Sequence, residues 1–212
     1  MKKVLCLLCL FIFGIALTAC QTPEVSNDKL VVGMECAYAP FNWTENEKSD
    51  TNYPIDRTSF YAEGYDVQMA KKIADALNYR LVIKAIEWDG LIPALQAGQI
   101  DAIIAGMSDT EERRANVDFT AAYYRSTHVL VMDKNSKFVN GTTLNDFEGA
   151  NVVGQIETLY DSLIDQLTGV NHLTPLADVP TIITSIKSKR ADITILEEPV
   201  AKGVIETNPD LT

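Results

Sequence analysis

Positive charge is scarce in this sequence. Eighteen lysines and arginines stand against 29 acids, a formal net charge of −11, and no Lys/Arg cluster breaks the pattern. That balance excludes nucleic-acid binding by a general electrostatic mechanism, which needs a basic surface to neutralise phosphates. Histidine is scarcer still. His128 and His172 are the only two and lie far apart in sequence, so no histidine metal site and no Ser-His-Asp constellation is expected. P-loop and Gly-rich dinucleotide fingerprints are also missing, and no cofactor is expected. Cysteine stops at four, and Cys6, Cys9 and Cys20 fall at the N-terminus. Cys36 is then the one thiol in the body of the chain, which leaves no internal disulfide and suits a buried filler. The one long apolar run, residues 4–17, is short for a membrane span.

That run follows Lys2 and Lys3, a positive n-region before an apolar stretch, the pattern of a secretory signal. It ends in Leu17-Thr18-Ala19-Cys20, which resembles a bacterial lipoprotein box. The resemblance implies a signal peptide over 1–19, a lipidated Cys20 and a polar tether over 20–28. An ordinary signal with a chance cysteine is the alternative.

Beyond the tether, short apolar runs alternate with helical periodicity. Residues 29–34 read as a first buried strand. Val67, Ala70, Ile73, Ala74 and Leu77 share one helical face, and Asn78 suits the helix end. Residues 80–85 return as a strand. Further on, 125–132, 150–155 and 190–196 read as strands and 181–188 as a helix. This alternation predicts an α/β fold of mostly parallel sheets with helical crossovers. Residues 44–63 are rich in Asn, Asp, Ser and Thr and read as a loop. Glu63 and Asp66 either face a cleft or cap a helix.

The stretch 88–124, WDGLIPALQAGQIDAIIAGMSDTEERRANVDFTAAYY, organises the rest. Asp89 is a candidate cap for a short helix ended by Gly98. DAIIAG (101–106) suits a buried strand. Ser108 with Glu111 forms a capping-box pattern, and Thr110 competes for the cap. The strand thus runs through a turn into a helix start carrying Arg113. Backbone N–H groups and a guanidinium there can hold a carboxylate or phosphate. A solvated Arg113 pairing with Glu111 or Asp109 is the plainer alternative.

The same stretch resembles the signature of bacterial extracellular solute-binding proteins that serve amino-acid ABC transporters, W-D-G-L-I-P-A-L-x-x-G-x-x-D-x-I-x-x-G-M-S-x-T-x-x-R followed by F-[ST]-x-x-Y-Y. Tyr38-Ala-Pro-Phe41, Gly64-Tyr-Asp-Val67 and Glu197-Glu-Pro-Val-Ala201 resemble three further family motifs. The resemblance implies a two-lobed, periplasmic-binding-protein-like fold of type II, with a ligand cleft between lobe 1 (29–126) and lobe 2 (127–212). It implies that Arg113 grips the α-carboxylate of a small L-amino acid, helped by N–H groups at Ser108, Thr110 and Thr158. Glu197 takes the ammonium, with the Gly106 carbonyl and the Ser108 hydroxyl, while Tyr38 and Trp43 cover the side chain.

The implied partners are a membrane permease and a lipid anchor at Cys20, for a monomer outside the cytoplasmic membrane. Catalytic residues and metal ligands are not expected. The sequence departs from the pattern at Gln68, where an aspartate is usual, and at Glu157, where a glycine is. Glu157 implies either a turned-out side chain or a cationic ligand. Family members are also expected to run further, so the chain reads as C-terminally truncated. An exported dehydratase acting on a cyclic carboxylate, and a ligand-sensing lipoprotein without transport, are the alternative readings.

Overall fold

The computed structural model describes residues 28–212. The predicted signal peptide, Cys20 and nearly all of the tether lie outside the described residues.

The first lobe is built on β1 (Lys29–Met34), whose Val32 and Met34 are fully buried. The chain then makes a small antiparallel sheet from β2 (Ala37–Tyr38), β3 (Asn42–Glu45), β4 (Tyr53–Pro54) and β5 (Tyr61–Glu63), in the order β2-β3-β5-β4. This corrects the reading of 44–63 as a loop. Glu45 and Glu63 lie on one face of the sheet, where Glu45 is exposed, while Ala62 is fully buried on the other, opposite Thr44.

Helix α1 (Tyr65–Leu77) crosses back over the parallel sheet on Val67, Ala70 and Ala74. Asn78 closes it in the left-handed conformation, φ 56°, with its N–H returned to the last turn. Ile73 and Leu77 were expected on the same buried face but stay 38% and 51% exposed, because the helix rests on its small residues and these two flank the contact.

Strand β6 (Arg80–Ala85) pairs in parallel with β1 along its whole length, from Lys29 opposite Arg80 to Met34 opposite Ala85. A 3-10 turn at Trp88–Gly90 leads into α2 (Leu91–Gln96), and β7 (Ala102–Ile103) completes the order β6-β1-β7. Asp89 lies inside that turn and Gly90 takes the N-cap position, so Asp89 does not cap α2. The strand predicted over 101–106 shortens to two residues, and the chain bends at Gly106, φ 62°. Helix α3 (Glu111–Arg114) is four residues long. Thr110, not Ser108, caps it, accepting the Arg113 N–H.

The second lobe contains β8 (His128–Met132), β9 (Asn151–Val152), α4 (Leu159–Leu163), β10 (Asn171–His172), α5 (Val179–Lys187), β11 (Ile193–Glu197) and α6 (Glu198–Thr207). Its sheet runs β10-β9-β11-β8, parallel except for β8 against β11. Asp178 caps α5 by accepting the Thr181 N–H at 2.7 Å. The last residues extend the open edge of β8, where Met132 and Thr212 exchange backbone bonds of 2.8 and 3.0 Å and Leu211 is fully buried. Each lobe has its own apolar core. Val32, Met34, Val67 and Ile83 centre the first, and Val131, Ile182, Ile186 and Ile193 the second. Tyr38 and Phe41 belong to the chain of the first lobe but pack into the core of the second. None of the described helices is long and apolar enough to cross a membrane.

Strand β11 is buried at every position, as a strand inside a parallel sheet should be. Thr194 is its one misfit: it is fully buried, and its hydroxyl is the only buried side-chain polar atom without a partner among the described residues. Thr194→Val removes that oxygen at constant shape. The expected result is a gain of about 1 kcal/mol in stability and about 2–4 °C in Tm, read from thermal and urea unfolding.

Candidate functional site

Capping by Thr110 holds the first turn of α3 at the carboxyl end of the first lobe's sheet, with the Thr110 hydroxyl 3.3 Å from the Arg113 nitrogen. The Arg113 guanidinium leaves that turn toward the second lobe. It donates to the Ser108 carbonyl at 2.8 Å and to the Glu157 carbonyl at 2.9 Å. It lies 5.3 Å from the centre of the Trp88 ring, whose Nε1 also donates to the Glu157 carbonyl, at 3.2 Å. Arg113 forms no ion pair among the described residues. Burial pulls its pKa below the ordinary arginine value, yet the group stays charged. A partly desolvated cation with only neutral partners lacks an anion. Beside it is a cavity of about 600 Å³ lined by Trp88, Thr110, Glu157, Thr158 and Asp161, among others.

Glu157 stands where the resemblance calls for glycine, and its backbone is left-handed, φ 55°. That conformation costs roughly 1–2 kcal/mol for a residue with a Cβ, and it aims the Glu157 carbonyl at Arg113 and Trp88. The residue is exposed, yet it lines the cavity, and its charge acts on the Arg113 guanidinium. Thr158 is buried, and its hydroxyl serves α4: it donates to the Gln155 carbonyl at 2.7 Å and accepts the Asp161 N–H at 3.3 Å.

The other end of the cleft is acidic. Glu197 closes β11 opposite His128 and is 8% exposed. Its carboxylate accepts the Tyr38 hydroxyl at 2.9 Å, and that hydroxyl meets the Tyr160 hydroxyl at 2.8 Å. The Gly106 N–H donates to the Tyr123 hydroxyl at 3.0 Å, which donates to Asp66 at 2.7 Å. A second cavity of about 500 Å³ is lined by Phe41, Gly106, Ser108, Tyr123, His128 and Glu197, among others.

Two more buried acids line neither cavity. Asp66 is fully buried, and burial pushes its pKa from 3.8 up to about 6 despite hydrogen bonds from Tyr123 and Asn42. Glu35 follows directly on β1 and accepts the Gln155 amide across the lobes at 2.7 Å. Desolvation pushes it from 4.5 up to about 7, with Asp178 and Glu87 adding like-charge repulsion against the Gln155 bond. Glu35, Asp66 and Glu197 form no ion pair among the described residues.

The structure therefore gathers Arg113, Thr110 and Thr158 around one cavity, and Glu197, Gly106 and Ser108 around the other. Tyr38 lines neither cavity: it is buried in the second lobe's core and hydrogen-bonded to Glu197. Trp43 lines neither cavity. Its Nε1 donates to Glu45 at 2.7 Å, and its ring packs on Gly64, leaving no room for a Cβ there. The indole in the cleft is Trp88. Glu63 also stays outside, accepting Thr51 and Ser49 at the surface.

Sequence reasoning missed Glu35, Trp88, Tyr123, Gln155 and Tyr160. Glu35 carried a usable signal, since it lies at the carboxyl end of a parallel strand, where ligands bind in open α/β sheets. His172 is held between Asp161 and Asp165, at 2.8 and 3.1 Å, which raises its pKa. No group of three or more potential metal ligands forms among the described residues.

Comparison with known proteins places this geometry. Residues 30–203 match the model of the bacterial extracellular solute-binding proteins, family 3. The chain is 30% identical to a probable histidine-binding protein of Campylobacter jejuni, over 100% of this chain and 80% of that protein. It is also 30% identical to the arginine-binding extracellular protein ArtP of Bacillus subtilis, over 100% and 79%. Among solved structures, holo ArgBP from T. maritima superposes with a TM-score of 0.74 at 32% identity, covering 87% of this chain and 75% of that one. The amino acid ABC transporter substrate-binding protein AbpA from Streptococcus pneumoniae, bound to L-arginine, gives 0.75 at 31% identity, covering 87% and 73%. A match over residues 30–203, on a two-lobed α/β fold, shows that this chain belongs to the bacterial extracellular solute-binding proteins, family 3.

Proposed function

We propose that the chain is an extracytoplasmic receptor that captures a cationic L-amino acid and hands it to an ABC permease, binding without turnover. One observation carries this reading: the buried charges that line the two cavities are unpaired, the Arg113 cation at one and the Glu197 carboxylate at the other, with Glu35 buried and unpaired behind them. A zwitterion with an additional positive charge supplies both missing partners at once. Arg113, with Thr110 and Thr158 near it, takes the α-carboxylate. Glu197 takes the α-ammonium, with the Gly106 carbonyl and Ser108 beside it. Tyr38 and Trp88 wall the site, and Glu35 is the acceptor left for the side-chain cation.

Relatives named as arginine- and histidine-binding proteins support the ligand class. Lobe 1 is read as 29–126 and lobe 2 as 127–212. The bonds from Arg113, Trp88 and Glu35 into the second lobe are those a hinge closure would make. A lipid at Cys20 would keep this monomer at the membrane, beside its permease.

The test is a thermal-shift panel of L-arginine, L-lysine, L-histidine, L-glutamine and L-glutamate. A ligand at 100 times its Kd adds about 2.7 kcal/mol, a rise of several degrees for a chain of this size. The basic amino acids should shift the melt and L-glutamate should not. A glutamate shift equal to that of arginine, or a flat response to every basic amino acid, counts against the proposal.

A further inference from the structure

The turn that presents the Gly106 carbonyl and the Ser108 hydroxyl has little of its own to hold it. It follows Ile104, whose N–H donates to the Gly33 carbonyl at 3.2 Å. Residues 105–108 then make no backbone–backbone hydrogen bond among the described residues. Gly106 lies in that gap at φ 62°, and glycine places few limits of its own on the backbone. Two side chains anchor the turn instead. The Arg113 guanidinium donates to the Ser108 carbonyl at 2.8 Å, and the Tyr123 hydroxyl accepts the Gly106 N–H at 3.0 Å. Tyr123 lines the same cavity as Gly106, Ser108 and Glu197.

Tyr123 is held in turn by Asp66. Its hydroxyl donates to one carboxylate oxygen at 2.7 Å, and the Asn42 amide donates to the other at 2.8 Å. The Asn42 side-chain oxygen accepts the Cys36 N–H at 2.7 Å, in the left-handed turn between Glu35 and Tyr38. Asp66 and Asn42 are fully buried. Asp66 stands in the first turn of α1, yet neither of its oxygens accepts a backbone N–H among the described residues. A buried carboxylate without an ion pair is a costly way to fix a helix. What it does is join the Gly106 turn, which follows β7, to the Cys36 turn, which follows β1. The Glu197 charge acts on both Asp66 and the Tyr123 hydroxyl.

We propose that Tyr123, fixed by Asp66, is a positioning residue for the ammonium end of the site. This rests on the reading that Gly106, Ser108 and Glu197 take the α-ammonium. Tyr123 holds the turn by an N–H, which leaves the Gly106 carbonyl for the ligand. With one part of the turn tied to Tyr123 and the other to Arg113, the ammonium acceptors keep a set distance from the guanidinium that takes the carboxylate. One carbon separates the two charged groups of an α-amino acid, so that distance has to be met closely. Without the anchor the ligand must order the glycine turn itself, at a cost in affinity.

Tyr123→Phe keeps the ring, stacked on Tyr65 at 6.1 Å between centroids, and removes the anchoring oxygen. It also leaves Asp66 with one donor, so the melt should fall by several degrees. Adding Asp66→Asn removes the stranded charge at nearly the same shape and should recover part of that fall. Calorimetric titration with L-arginine at pH 8, where Asp66 is ionised, separates positioning from stability. The expected result is about tenfold weaker binding in Tyr123→Phe, with no recovery in the double variant although its melt recovers. Melting and binding that move together in the double variant, whether both recover or both stay low, would make the Tyr123–Asp66 pair a matter of stability and overturn the proposal. Tyr123→Phe binding within about twofold of wild type would show that the turn needs no anchor, and overturns the positioning role alone. Variants without a cooperative melt would make the pair a folding element, which overturns it too. No binding of L-arginine by the wild-type chain removes the ligand reading, and the positioning role with it.

Discussion

Arg113→Ala should remove L-arginine binding almost completely while leaving the melt of the ligand-free protein nearly unchanged. The two effects separate because Arg113 does little for the fold. Its bonds go to the Ser108 and Glu157 carbonyls and its plane covers Trp88, with no ion pair to lose. Truncation costs those two bonds but also ends the partial desolvation of an unpaired cation, which works against the fold. The net stability change should be about 1 kcal/mol or less.

Binding is different. A ligand carboxylate meeting the guanidinium in a partly dry cleft makes a charge-assisted, fork-shaped pair. Deleting one partner of such a pair costs about 2–5 kcal/mol, because the other is left desolvated. A loss of roughly two to three orders of magnitude in Kd follows. Arg113→Lys keeps the charge but not the fork, and should fall between wild type and alanine. Calorimetric titration of the three proteins, with thermal melts beside it, checks both halves. Binding within threefold of wild type in the alanine variant would return Arg113 to the role of a solvated helix residue.

The residues that announced themselves in the sequence are those whose chemistry depends on local spacing. Arg113 follows a capping residue by three positions, and whichever cap wins, the guanidinium leaves the same turn. The sequence was ambiguous between Ser108 and Thr110, and Thr110 took the cap. Glu197 ends an apolar run, so its place at the mouth of a buried strand could be read directly. Strands β1 and β6 were legible for the same reason: each is a short apolar run between turn residues.

What was not legible depends on partners far along the chain. The small β2–β5 sheet has a polar outer face, and its hydrogen bonds are backbone bonds that leave no pattern in side chains. Trp43 and Trp88 are equally plausible cleft aromatics on spacing alone. Trp43 is taken by Glu45 and by packing on Gly64, whereas Trp88 is free to meet Arg113. Glu35 and Gln155 are 120 positions apart, and their bond exists only because the two lobes face each other. Tyr160 is similar: nothing near it in sequence signals that its hydroxyl reaches Tyr38.

Binding of L-arginine should tighten steeply as pH rises from 5 to 8, by up to about a hundredfold, and Glu35→Gln should flatten the dependence. Burial raises Glu35 from 4.5 in the ordinary state to about 7 in the fold. Below pH 7 the folded, ligand-free protein holds a proton on Glu35 that the unfolded chain releases at lower pH. The folded state is therefore the better proton binder between about 4.5 and 7, and ligand-free stability falls as pH rises through that window. The loss from this one group is about 3 kcal/mol at most, since each unit of pKa difference is worth about 1.4 kcal/mol. Asp66, raised from 3.8 to about 6, adds a loss of the same sign at slightly lower pH.

Ligand binding runs the other way. A side-chain cation stabilises ionised Glu35 and expels its proton, so at pH 5, about two units below the folded pKa, the proton competes at nearly full strength. Titration at pH 6 in two buffers of different ionisation enthalpy should count close to one proton released per arginine bound. His172, raised by its bonds to Asp161 and Asp165, is a second titrating group, and its contribution persists in the Glu35→Gln variant. What disappears in that variant is the Glu35 share. A pH profile that stays equally steep without the Glu35 carboxylate would place the coupled proton elsewhere and leave the side-chain cation without its acceptor.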